Sequence, residues 1–149
     1  MIGVLICAHG SLASELVRTA EKIIGHQDRV SSLSTTNSQS KRQLEIDANN
    51  LISELDSGDG VLVFVDSPGG TPANICLEIA RERSDVEVIS GVNLPMMLVL
   101  VERDTKRHVQ DLAQAAVLAG RMTIENLSKM INGRTSRTKT VGAKGPKST

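Results

Sequence analysis

The sequence almost lacks aromatic side chains. Phe64 is the only one among 149 residues, and neither tryptophan nor tyrosine occurs. Proteins that bind single-stranded nucleic acid stack the bases on aromatic rings, and sugar-binding sites often have an aromatic floor. The sequence therefore argues against both classes, and we expect no nucleic-acid partner.

Cysteine is also scarce, and long apolar runs are missing. Cys7 and Cys76 lie in a strand-like and a helical segment, where cysteine usually behaves as a small buried hydrophobe, so we expect both to be reduced. The first apolar run has no basic segment before it and is too short for a secretory signal. No other run approaches the ~18 residues that span a bilayer. These absences predict a cytoplasmic protein.

Acidic residues are missing from the last 18 positions. Residues 132–149 hold five of the 17 basic residues, which leaves 12 basic against 17 acidic residues in 1–131, a net charge of −5. The last stretch has too little apolar surface to offset the entropy of ordering it. We predict one domain over residues 1–131 and a flexible basic tail over 132–149. An arm that binds nucleic acid or a membrane surface is the alternative, although its charges have no periodicity.

What the sequence does contain is a fourfold alternation of apolar runs and amphipathic segments. The runs at residues 2–8, 30–35, 61–66 and 86–90 predict four strands, with helices between them. This alternation is typical of an α/β fold with a doubly wound, mostly parallel sheet and helices on both faces. Right-handed crossovers then favour the strand order 2-1-3-4, which makes the first and third strands neighbours.

Turn and capping residues predict where the helices begin and end. Thr71 before Pro72 has the form of an N-cap followed by proline at the first helical position. Residues 122–127 are ambiguous between a last strand and a helical continuation. The other predicted boundaries are Ser11 and Gly25 for the first helix, residues 37–40 and 56–60 for the second, Asn93 for a short helix, and Asp104 or Thr105 with Gly120 for the last.

The first strand ends at His9 and the third at Asp66. Neighbouring parallel strands end at the same edge of the sheet, where such folds bind ligands, so the two side chains are expected side by side. A carboxylate that accepts a proton from one ring nitrogen leaves the other nitrogen free to act as nucleophile or general base. Each residue taken alone has a simpler interpretation. A histidine at a strand end is more often structural than catalytic, and Asp66 could simply cap the turn that follows it.

Glycines and hydroxyl residues follow both of these strands. They place two helix N-termini with exposed N–H groups at the same crevice, which suits an anion, most naturally a phosphoryl group. The residues expected around it are Gly10, Ser11, Ser67, Gly69, Gly70 and Thr71.

The remaining histidines suggest no second site. His26 and His108 have no companions at useful spacing, and we interpret both as surface residues. No segment has zinc-ligand spacing, a Walker-type phosphate loop or a serine elbow. The sequence therefore predicts no metal and no cofactor.

Three segments of the sequence form a pattern in order and spacing: residues 2–10, which end in Ala8-His9-Gly10, residues 63–74 and residues 88–96. Together they resemble the enzyme IIA component of the mannose family of the bacterial phosphoenolpyruvate-dependent sugar phosphotransferase system. The resemblance covers roughly residues 1–131. It implies that His9 accepts a phosphoryl group from the carrier protein HPr, that Asp66 orients His9, and that the group passes to a IIB component. Contact with the membrane would be indirect, through a permease.

The resemblance also implies details that the residue patterns do not. Ser67 and Thr71 match hydroxyl positions near the phosphoryl group, whereas Pro68 stands where some members have a bulky aromatic residue. Family members are homodimers in which a carboxyl-terminal strand crosses to the other subunit. Residues 122–127 match that strand, so a fifth, antiparallel strand exchanged in a dimer is expected.

Two other functions fit the same residues. A free-standing IIA protein is able to act as a regulator whose phosphorylation state controls a target protein. A non-catalytic anion-binding module would use the same crevice without a transfer step. The sequence does not identify a sugar, because a IIA component does not touch it.

Overall fold

Four parallel strands form one sheet in the order β2-β1-β3-β4. The strands are β1 (Gly3–His9), β2 (Val30–Thr35), β3 (Val61–Val65) and β4 (Val86–Ser90). The computed structural model describes residues 1–36, 38–105 and 108–131. The predicted α/β class, the parallel sheet and its strand order are confirmed.

Helices cover both faces of this sheet. They are α1 (Leu12–Ile24), α2 (Lys41–Leu55), α3 (Thr71–Glu82), α4 (Leu94–Leu98) and α5 (Val109–Met122), with a 3-10 helix over Val99–Thr105 between the last two. Residues 127–131 are helical as well. In the described part of the chain, no helix is both long and apolar enough to cross a membrane.

The two central strands place alternate residues in two separate cores. Val4 and Ile6 of β1 pack with α1, α4 and α5, whereas Leu5 and Cys7 pack with α2 and α3. All five residues of β3 are buried. Because successive side chains of a strand point to opposite faces, a strand covered on both faces must be apolar throughout. This explains the unbroken apolar runs that end at His9 and Asp66.

Several predicted helix starts are confirmed. Ser40 caps α2 by accepting a hydrogen bond from the backbone N–H of Gln43 (3.1 Å), and Asn93 caps α4 by accepting one from Met96 (3.3 Å). Ser11 is the N-cap residue of α1, but its side chain makes no capping hydrogen bond.

Two helix starts were predicted wrongly. Gly70, and not Thr71, is the N-cap of α3, since the Gly70 carbonyl accepts the first helical hydrogen bond from Asn74 (3.0 Å). The last helix begins after His108 rather than after Asp104 or Thr105, because the chain there is still in the 3-10 helix.

Gly120 does not end the last helix, as the sequence predicted, but lies inside α5. A Cβ atom at this position would lie 2.7 Å from Cγ and 2.9 Å from Sδ of Met96, and 3.0 Å from Nδ2 of Asn93. The glycine therefore allows close packing between α4 and α5. From the sequence alone, such a glycine cannot be distinguished from one that ends a helix.

The predicted fifth strand does not form within the single chain. Met122 is the last residue of α5, residues 124–126 have no regular structure, and residue 127 already begins a helical segment. Strand exchange between two copies stays a prediction. The tail predicted over residues 132–149 lies outside the described residues.

Candidate functional site

His9 and Asp66 meet at the carboxyl edge of the sheet. Asp66 Oδ2 lies 2.8 Å from the ring atom Nδ1 of His9 and also accepts a hydrogen bond from the His9 backbone N–H at 3.0 Å. The aspartate side chain is 15% exposed and the histidine side chain 55%. The carboxylate is thus enclosed behind the ring, and the rest of the ring faces outward.

The ionisation of Asp66 determines the state of the ring. Burial acts to raise the pKa of Asp66, but hydrogen bonds from the His9 backbone and ring, the charge of His9 and the Ser67 backbone amide outweigh it and hold the pKa below its usual value. An ionised carboxylate can only accept hydrogen bonds, so Nδ1 carries the proton. In the neutral ring, Nε2 then keeps its lone pair and can act as a nucleophile.

The turn after β3 places Gly70 beside the ring of His9. A Cβ atom added to Gly70 would lie 3.5 Å from Cε1 of His9 and 3.7 Å from the hydroxyl oxygen of Ser67. Because Gly70 has no side chain, the ring edge beside Nε2 stays uncovered. Thr71, the next residue, lines a cavity together with His9.

The other predicted residues lie in the turns that flank the ring. Gly10 follows His9 directly and has a positive φ, as does Gly69 in the turn before α3. Ser11 starts α1, and its carbonyl accepts hydrogen bonds from the backbone of Glu15 and the hydroxyl of Ser14. These three residues therefore shape the two helix N-termini, and the structure shows no hydrogen bond between them and the ring.

The cavity beside His9, of about 200 Å³, includes residues that the sequence analysis did not single out. Thr35, the last residue of β2, is 7% exposed, and its hydroxyl donates to the Ala8 carbonyl (3.4 Å). The sequence could have indicated Thr35, because it is the last residue of a predicted strand whose carboxyl end lies at the same sheet edge as that of β1. The remaining lining residues of the cavity are Thr36, Gln39, Leu44, Thr71 and Pro72.

His26 has companions that the sequence analysis missed. Its Nδ1 lies 2.8 Å from Glu21 Oε1 and its Nε2 lies 3.5 Å from Asp28 Oδ1, although the side chain is on the surface as predicted. The chain turns at Gly25, so these contacts do not follow helical spacing. His108 is exposed and is the N-cap residue of α5. Among the described residues, no three histidine, cysteine or acidic side chains are placed to hold a metal ion.

Comparison with known proteins agrees with this architecture. The sequence profile of the family described as "PTS system fructose IIA component" (EIIA-man) matches residues 3–117. A solved enzyme IIA component of a phosphotransferase system from Streptococcus agalactiae superposes with a TM-score of 0.79 at 27% identity, covering 87% of this chain and 99% of that one. The chain therefore belongs to the mannose-type enzyme IIA family, and its general role is that of a phosphotransferase-system component.

Individual relatives have several sugars in their names. The mannose-specific EIIAB component of Escherichia coli K12 is 34% identical over 127 residues, which are 85% of this chain and 39% of the relative. The sorbose-specific EIIA component of Klebsiella pneumoniae is 28% identical, over 76% of this chain and 83% of the relative. The solved IIA protein associated with a fucose utilization operon in Streptococcus pneumoniae has a TM-score of 0.74 at 28% identity, covering 87% and 96% of the two chains.

Proposed function

We propose that the protein is a phosphocarrier that accepts a phosphoryl group from phospho-HPr on His9 and passes it to a IIB component. The observation that carries this proposal is the double hydrogen bond from His9 to Asp66 Oδ2, at 2.8 and 3.0 Å. It fixes the ring in the tautomer whose outer nitrogen is nucleophilic.

The transfer requires one bond to form and one to break. The Nε2 lone pair of His9 attacks the phosphorus, and the bond between phosphorus and the donor's ring nitrogen breaks on the opposite side. The proton on Nδ1 does not move. The phosphorylated ring gains positive charge, which the Asp66 carboxylate stabilises across the 2.8 Å contact. The N-termini of α1 and α3 stabilise the negative charge on the moving group.

The names of the relatives support a IIB component as the acceptor. The Escherichia coli relative is named an EIIAB component, and this chain matches 39% of its length, which leaves room in that protein for a further part. We further propose that the protein works as a homodimer. The alternatives of a regulator that binds a target protein and of a non-catalytic anion-binding module are not favoured by any contact in the site.

Labelling by phosphoenolpyruvate tests the proposal. Incubation with enzyme I, HPr and labelled phosphoenolpyruvate should give one phosphoryl group per chain, in a linkage that acid cleaves and alkali does not. His9→Ala should take up no label. His26→Ala is the matched control, since His26 also contacts carboxylates, and it should be labelled like the wild type. Label on His9→Ala would show that the proposal is wrong.

A further inference from the structure

The cavity beside His9 has walls from two different loops. Thr71 at the start of α3 forms one wall, and Thr36 and Gln39 in the turn after β2 form the other. The wall after β2 lies beside His9 because His9 and Thr35 are direct partners in the pairing of β1 with β2. The wall at Thr71 lies beside it because β3, which precedes α3, pairs with β1 on the other side. A group attached to the ring on this side would therefore contact both loops.

The described lining of the cavity offers hydrogen-bond donors and contains no carboxylate. The hydroxyls of Thr36 and Thr71 and the Gln39 amide supply the donors, because the Thr35 hydroxyl already donates to the Ala8 carbonyl. Leu44 and Pro72 supply apolar surface. Residues 1–131 carry a net charge of −5. Within this net-negative part of the chain, a cavity lined with neutral donors next to an imidazole is a place where an anion meets little repulsion.

The Gln39 side chain is held with a donor to spare. Its Nε2 donates one hydrogen to Asp47 Oδ2 (3.0 Å), and an amide nitrogen has a second hydrogen. Asp47 is fixed from the other side by Gln43, whose Nε2 donates to Oδ1 at 2.8 Å. The Gln39 amide is thus oriented before any ligand arrives.

The Thr36 hydroxyl also has a hydrogen-bond partner within the chain. It lies 3.1 Å from the hydroxyl of Ser38, and either oxygen can be the donor. When Ser38 donates, the hydrogen of Thr36 is free for a ligand.

We propose that Thr36 and Gln39 bind the oxygens of the phosphoryl group on His9, from the side opposite Thr71. This inference rests on the proposed function. Neither side chain forms or breaks a covalent bond, and both donate hydrogen bonds to an anionic oxygen. Such charge-assisted bonds are stronger than neutral ones, so each should favour the phosphorylated form over the free form.

The transfer equilibrium measures this preference. The wild type, Thr36→Val and Gln39→Leu are each equilibrated with enzyme I, labelled phosphoenolpyruvate and HPr, and the ratio of phosphorylated to free chain is compared at the same ratio of phospho-HPr to HPr. Each variant should lower that ratio about tenfold, the effect of one hydrogen bond to a charged group. Melting curves confirm that both variants are folded.

Two matched controls separate contact with the ligand from the general effect of replacing a polar side chain. Thr19→Val removes a hydroxyl exposed on α1, and Asn50→Leu removes an amide exposed on α2, and neither residue lines the cavity. Both should stay within about twofold of the wild type. The inference is overturned if the two test variants keep the wild-type ratio, or if the controls fall as far as they do. A wild type that takes no label would instead overturn the proposed function, and this inference with it.

Discussion

One oxygen atom of Asp66 makes both hydrogen bonds to His9 in the candidate site. Asp66 Oδ2 accepts hydrogen bonds from the backbone and from the ring of His9. The backbone bond does not depend on the ring, so the carboxylate would stay in place beside the ring before and after the proposed transfer. Because the pKa of Asp66 is lowered, the charge that favours folding is present at neutral pH and is lost only as the pH falls through that lowered value.

Asp66→Asn should separate orientation of the ring from capping of a turn. The amide keeps the shape of the side chain but removes its charge, so the variant should fold normally and accept phosphate from HPr more slowly. A loss of about 10²-fold is expected for an orienting group, with ~10⁴-fold as the limit known from catalytic triads. The rate of labelling and the melting curve are measured together.

Asp28→Asn is the control for this substitution, since Asp28 also faces a histidine ring, at 3.5 Å. It should leave the rate unchanged. An unchanged rate in Asp66→Asn itself would mean that the carboxylate only caps the turn. In that case stability alone should fall, by a few tenths of a kcal/mol for a weakened cap.

The sequence could predict the pair but not the whole surroundings. His9 and Asp66 were found because each ends an apolar run, and the parallel order of the strands brings such ends together. Thr36 and Gln39 carry no comparable signal, since their place depends on the path of a turn. The carboxylate partners of His26 were missed for the same reason.

The elements that present these residues are the turns before α1 and α3. The turn before α3 has two tasks, because Gly70 is both the N-cap of the helix and the neighbour of the His9 ring. Its φ of −77° is open to any residue. Space beside the ring, rather than backbone conformation, is therefore what a side chain at this position would change.

Gly70→Ala should leave the fold intact and slow phosphoryl acceptance. The added methyl makes ordinary contacts, 3.5 Å from His9 Cε1 and 3.6 Å from Pro72 Cδ, but it covers the ring edge beside Nε2. Alanine is a poorer N-cap than glycine, so stability should fall by about 0.5–1 kcal/mol. The labelling rate and the melting temperature are compared with those of the wild type.

Asn93→Ala supplies the matched control, because Asn93 caps α4 through Met96 and is not in the cavity beside His9. It should lose stability to a similar degree and keep the wild-type rate. Equal rates for the two variants would contradict the role given to the open ring edge.

Element types were predictable, and some boundaries were not. The apolar runs of β1 and β3 identify strands because burial on both faces leaves no other composition. The start of α5 was misplaced because a 3-10 helix carries cap-like residues of its own, Asp104 and Thr105. A glycine that packs against a neighbouring helix cannot be told from a terminating glycine without that neighbour.

Over the whole molecule, apolar surface is concentrated near the end of the described chain. Leu118, Ile124, Leu127 and Ile131 are 59–79% exposed. In the described part of the chain, β4 pairs only with β3, and cavities of about 420 and 350 Å³ lie between β4 and α5. An open strand edge beside exposed apolar residues is a place where another chain can pair. This supports the proposed homodimer.

Truncation tests the exchanged strand. A chain that ends before Met122 should be a monomer or unfolded, because it lacks the segment proposed to cross to the other subunit. A chain that ends after Ile131 should keep the oligomeric state and the activity of the full chain. Sedimentation of both chains, with the full chain as reference, decides the point. A well-folded full-length monomer at working concentrations would rule out strand exchange.

The contact between His9 and Asp66 joins residues 57 positions apart. A ribosome therefore synthesises the proposed nucleophile long before the carboxylate proposed to orient it, and the two meet only after β3 has paired with β1. A nascent or misfolded chain has the histidine but not the orientation that makes it reactive. Phosphorylation of His9 would accordingly count only molecules that have completed the sheet, which makes the label a measure of correctly folded protein in a mixed population.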